Sequence, residues 1–168
     1  MTEKQILNFV DRYQKAYELK IITFCGGEVF ALPYFPHLIN TLTTRGIFIQ
    51  TITNGTLDQL DKIEHPNLNN LIVSIDGLEE YHDRNRGKGN FKKSITFLKK
   101  AQTLRFHTEI FSIVTKQNFQ CIDTFEIFVK KELGGINITY HPRKPPEYCL
   151  IILFPIVKGK LRDRKSVV

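Results

Sequence analysis

The sequence has no tryptophan, one methionine and only three cysteines in 168 residues. Cys25, Cys121 and Cys149 are an odd number and lie far apart, so no C-x-x-C or C-x-x-x-C pair exists and cysteine spacing defines no metal site. Cys121 and Cys149 read as small buried apolar side chains. No apolar run approaches the roughly 20 residues that span a bilayer. The start, MTEKQILNFV, also lacks the basic-then-apolar character of a secretion signal. The expectation is a cytoplasmic chain with no membrane partner. A phosphate loop of the form G-x-x-x-x-G-K-[ST] is missing too. Strong positive charge is confined to one end: net charge is +7, and the last eleven residues hold five basic side chains against Asp163. A short terminal run without aromatics is not the gathered basic face that nucleic acid requires, and it reads as a solvated end.

What is present suits one globular domain, with 42% apolar and 24% charged residues. Ile6, Phe9, Val10, Tyr13 and Tyr17 fall at helical spacing over Thr2 to Lys20, with Thr2 and Gln5 as a capping box. Strands are expected at Lys20 to Phe24, Ile47 to Thr53, Leu71 to Ile75, His107 to Val114 and Ile136 to Tyr140. Helices are expected between them, at Phe35 to Arg45, Leu57 to Ile63, Phe91 to Leu104 with Asn90 as cap, and Ile122 to Glu132. Asp76 to Gly89 reads as a long loop. Such alternation implies an α/β fold with a parallel sheet, as an open doubly wound sheet or a barrel segment.

In either architecture ligands gather where strands end. The five strands run into Cys25-Gly26-Gly27-Glu28, Thr53-Asn54-Gly55-Thr56, Ser74-Ile75-Asp76-Gly77, Thr115-Lys116-Gln117-Asn118 and His141-Pro142-Arg143-Lys144. Gly26 and Gly27 allow close approach to the backbone, and Glu28 supplies an acceptor for a cationic group. Ser74, Asp76, Asn54 and Asn118 add polar groups that bind hydroxyls, amines or carboxylates. Such a rim suits a zwitterionic, sugar-bearing ligand. His65 and His107 read as structural, and His141 as a candidate on the substrate side. Adjacent His82 and Asp83 point apart if helical, so they do not form a catalytic pair, and Arg86 is a candidate for an anionic group.

The succession ITFCGGE, TITNGT, IVSIDGLEEYHDRNRGKGNF and IFSIVTKQN resembles the core of the radical S-adenosylmethionine (radical SAM) enzymes over Thr2 to Pro146. The resemblance implies a partial (β/α)6 TIM-like barrel, with residues 1–146 as the core and 147–168 as a C-terminal strand and basic tail of uncertain role. Gly26, Gly27 and Glu28 match the family's site for the methionine amino group of the cofactor, and Thr53 and Asn54 a step near the methionine and ribose. Ser74 and Asp76 match a step by the methionine carboxylate or ribose, and Asn118 a position near the adenosine. The family's chemistry belongs to its cofactors. A 4Fe-4S cluster, reduced by an electron donor, cleaves S-adenosylmethionine to a 5′-deoxyadenosyl radical that takes hydrogen from a substrate, here unknown.

The family's C-x-x-x-C-x-x-C loop is absent from this sequence, and Val29 stands where a proline usually follows the glycine-glycine-glutamate step. The expectation is therefore a core lacking the first strand and the cluster loop, with no metal ligands in this chain. The alternative is a non-catalytic α/β module that binds a nucleotide or a partner with the same rim. A first strand at the sheet edge predicts poor solubility of the isolated chain. A monodisperse, cooperatively melting monomer on gel filtration would count against that expectation.

Overall fold

The computed structural model describes residues 1–142. Arg143, Lys144, Cys149, the expected C-terminal strand and the basic tail lie outside the described residues. Helix α1 (Glu3–Ala16) opens with the expected capping box: the Gln5 amide donates to Thr2 Oγ1, and the Thr2 amide to Gln5 Oε1. It ends before Tyr17, which is already extended and leads into β1 (Ile21–Phe24), so the expected extension to Lys20 is corrected. Then follow α2 (Phe35–Thr43), β2 (Phe48–Thr53), β3 (Asn69–Ser74), α3 (Glu79–Arg86), α4 (Asn90–Thr103), β4 (His107–Val114), α5 (Ile122–Glu132) and β5 (Ile138–Pro142).

Two expectations are overturned. Leu57 to Ile63 is not a helix; it holds only a single 3-10 turn, Leu60–Lys62. Asn54 Oδ1 accepts the Thr56 amide and Asp58 Oδ1 the Leu60 amide, so side chains occupy donors that a helix would organise. Asp76 to Gly89 is not all loop, because α3 forms inside it, with Glu79 and Glu80 in its first turn and Arg84 and Arg86 in its last. The start of α4 is also capped differently: Gly89 takes the N-cap position, and the Asp83 carboxylate accepts the Gly89 and Phe91 amides in place of Asn90.

The five strands are parallel and lie in the order β1-β2-β3-β4-β5. A doubly wound sheet changes direction at a switch point; this one never does, which is the order of a barrel segment. Register puts Ile22, Ile49, Leu71, Val73 and Ile110 on one face, and all are buried with Leu38, Ile39, Leu98 and Val129 of the helices. On the opposite face Ile52, Ile72, Phe111 and Ile113 are half-buried and belong to no part of that core. The sheet is therefore covered by helices on one side and presents the other.

Phe30 anchors the loop after β1. It is 1% exposed and meets Phe35 and Phe97 edge-on at 5.4 and 5.6 Å between ring centres. Phe30→Ala is expected to lower stability by about 3–5 kcal/mol, read as the shift of the urea unfolding midpoint at unchanged slope.

Candidate functional site

After β1 the backbone turns through Gly26 and Gly27, whose φ angles are +98° and +50°. A Cβ at either would meet nothing within 4 Å, so glycine is required by backbone angle and the peptide faces open space. The Glu28 carboxylate then reaches across to β2. Its Oε1 accepts from Thr53 Oγ1 at 2.7 Å and the Phe30 amide at 3.1 Å, and its Oε2 from the Asn54 amide at 2.8 Å. Among the described residues no cation pairs with this half-buried carboxylate.

Thr53 is buried, and its hydroxyl also accepts the Gly55 amide at 3.0 Å. Gly55 has φ of +66°, and a Cβ there would stand 3.0 Å from Val73 Cγ1, so this glycine serves packing rather than approach by a ligand. Ser94 of α4 donates to the Asn54 carbonyl at 2.6 Å, fixing the step from behind. Glu28, Thr53 and Asn54 are thus one connected unit.

Ser74 and Asp76 end β3, at 7% and 2% exposure. Ser74 lies on the open face, in register with Phe111. Asp76 lies among α3 and β4, accepting from Asn85, from Arg86 Nε at 2.7 Å and Nη2 at 3.0 Å, and from the Ile113 amide at 3.0 Å. Burial raises its pKa, but Arg86 and the Ile113 and Asn85 donors outweigh that and hold it below the ordinary 3.8. Asn118 bridges the same two strand ends, donating to the Asp76 carbonyl at 2.7 Å and the Ile113 carbonyl at 2.8 Å. The rim therefore falls into two groups, Gly26 to Asn54 and Ser74 to Asn118.

Arg86 is committed to Asp76 rather than reaching outward through its Nε edge. His82, read from the sequence as part of a loop, sits fully buried against Phe91 with 5.8 Å between ring centres. Its Nδ1 accepts the Asp76 amide at 3.3 Å, which places the ring proton on Nε2. His141 stacks on Phe111 at 4.5 Å, on the open face. An open pocket of about 540 Å³, lined by Val114, Thr115, Lys116, Phe119, Gln120 and Pro142, lies at the ends of β4 and β5, away from the glycine shelf. Among the described residues no group of three His, Cys, Asp or Glu side chains could hold a metal ion, and no helix is long and apolar enough to cross a membrane.

The class is thus an α/β barrel segment with its polar groups gathered at the carboxyl ends of parallel strands. Within it the family is shown by sequence: a family model for the radical SAM superfamily matches residues 1–128, and the chain belongs to that family. It is 32% identical over 122 residues to a cysteine-type anaerobic sulfatase-maturating enzyme of Clostridium novyi (strain NT), covering 65% of this chain and 33% of that protein. An Fe-coproporphyrin III synthase of Methanosarcina barkeri (strain Fusaro / DSM 804) is 29% identical over 126 residues, covering 72% and 31%. Among solved structures, Streptococcus suis SuiB bound to precursor peptide SuiA aligns with TM-score 0.70 at 14% identity, over 84% of this chain and 33% of that one. TYW1 with a lysine-pyruvate adduct aligns with TM-score 0.62 at 19% identity, over 87% and 52%. The chain spans about a third of the length of the curated relatives it matches.

Burial, followed by the Arg86 charge, holds the His82 pKa below the ordinary 6.5. An unfolded histidine takes up its proton near pH 6.5 while the folded one resists, so the unfolded state binds more protons in that window. Stability is expected to be full above about pH 6.5 and to fall as pH drops through the folded pKa. Urea midpoints from about pH 8 to about pH 5 should show this loss, and His82→Asn should flatten it.

Proposed function

We propose that this chain is the S-adenosylmethionine-binding core of a radical SAM enzyme. The observation that carries the reading is Glu28, a half-buried carboxylate that has no counter-cation among the described residues and stands beside two open glycines. Its three donors leave about one of a carboxylate's four lone-pair positions free. A protonated amine fits that vacancy, since it brings both the missing charge and a donor. In this reading Gly26 and Gly27 receive the methionine backbone, Glu28 its ammonium, and Thr53 and Asn54 hold Glu28 in place. Ser74 lies by the methionine carboxylate or ribose, Asn118 toward the adenosine, and Asp76 belongs to the same step of the rim with its carboxylate turned into the protein. Thr53 Oγ1 and the Phe30 amide together occupy the Glu28 Oε1 lone pairs, so the free position is directed from Oε2.

The residues of this chain do not fit the 4Fe-4S cluster of the family. Cluster ligation needs closely spaced thiolates, and Cys25, Cys121 and Cys149 do not supply them. No reaction step is therefore assigned to these residues; what they do is bind and orient. Reductive cleavage, an electron donor and hydrogen abstraction belong to the complete enzyme, and its substrate is unassigned. The lack of cluster ligands also favours a second reading, an α/β module that binds the nucleotide or a partner without radical chemistry.

Equilibrium dialysis with S-adenosylmethionine tests the proposal. The chain should bind it, and Glu28→Gln should weaken binding by about tenfold or more through loss of a charge-assisted hydrogen bond. Equal affinity of the two proteins, or no binding by either, rejects the cofactor reading.

A further inference from the structure

The two carboxylates of the rim are built for different tasks. Glu28 accepts three hydrogen bonds and pairs with no cation among the described residues, whereas Asp76 accepts four and is paired with Arg86 through two N–H···O contacts. A carboxylate offers about four lone-pair positions, so Asp76 has none left. Its main-chain atoms are equally committed, the amide to His82 Nδ1 and the carbonyl to Asn118 Nδ2. Every polar atom of Asp76 thus points into the protein, and three different elements meet on it: α3, the end of β4 and the turn that carries Asn118.

The sequence segment His82 to Arg86 becomes intelligible in the same terms. His82 and Arg86 lie one turn apart on α3 and both reach Asp76, while Asp83 between them faces the other way and caps α4 through the Gly89 and Phe91 amides. One short helix therefore ties the end of β3 to β4 on one side and to α4 on the other.

We propose that Arg86 is a positioning residue that fixes the β3–β4 part of the cofactor rim through Asp76, and that Asp76 makes no contact with the cofactor. This rests on the S-adenosylmethionine reading above for what the rim holds, but not for the clamp itself. Removing Arg86 leaves a buried carboxylate unpaired and should loosen the strand ends; removing both charges should not add to that loss.

The wild-type 168-residue chain, Arg86→Gln, Asp76→Asn and the double variant are compared by amide hydrogen exchange and by S-adenosylmethionine dialysis, well below each melting temperature. Arg86→Gln should speed exchange across residues 74–78 and 113–118 and weaken binding, each by about tenfold or more. The double variant should be no worse than Arg86→Gln alone. A lower melting temperature with rim exchange and affinity unchanged overturns the proposal, because the pair would then serve stability only. It is equally overturned if Arg86→Gln keeps or tightens binding while Asp76→Asn loses it in either background, the pattern of direct contact. If wild type binds no S-adenosylmethionine, the exchange data still decide the clamp, and the cofactor reading alone fails.

Discussion

A parallel sheet in strictly sequential order forces every connection to pass over the same face, since each crossover must turn the same way. The rest of the molecule follows from that. Helices α2, α4 and α5 bury one side of the strands, and the other side keeps Ile52, Ile72 and Phe111 half-buried and outside the core. All five carboxyl ends lie along one rim, so short steps at residues 26–28, 53–54, 74–76 and 118, far apart in sequence, line up there.

Holding such a rim still is a problem of hydrogen bonds, because strand ends have unpaired backbone groups. The chain solves it with side chains that bond across adjacent strands. Glu28 fastens the loop after β1 to Thr53 and Asn54, and Asn118 fastens β4 to Asp76. Phe30 pins the first of these units to the core from below, between Phe35 and Phe97. The rim is therefore held by side chains of the strand ends themselves.

The fold was largely legible in the sequence, and its gaps have physical causes. β4 and α5 fall at the bounds expected from their hydropathy pattern, and the capping box of α1 is present. Helix α3 was hidden because His82 is its one buried residue, so it carries no apolar stripe; its charge gradient was the available signal. Leu57 to Ile63 has helix-like spacing, but Asn54 holds the Thr56 amide just ahead of it and Asp58 the Leu60 amide within it, each in a local turn. At the rim the glycine and polar steps could be located by motif, whereas their partners could not. Nothing local shows that Arg86 pairs with Asp76, or that Thr53 holds Glu28, since each pair is made by folding across strands or elements. The polar segment His82 to Arg86 carried more information than its composition suggested.

The central claim is that Glu28 leaves one acceptor position open beside a bare glycine backbone, and that an ammonium-bearing cofactor fills it. Amide chemical shifts of the chain titrated with S-adenosylmethionine test this most directly. The account predicts saturating shifts at Gly26, Gly27 and Asn54, the backbone groups on and behind the shelf. Shifts confined to Val114, Thr115 and Lys116 at the far pocket, with the glycine shelf unmoved, would contradict it.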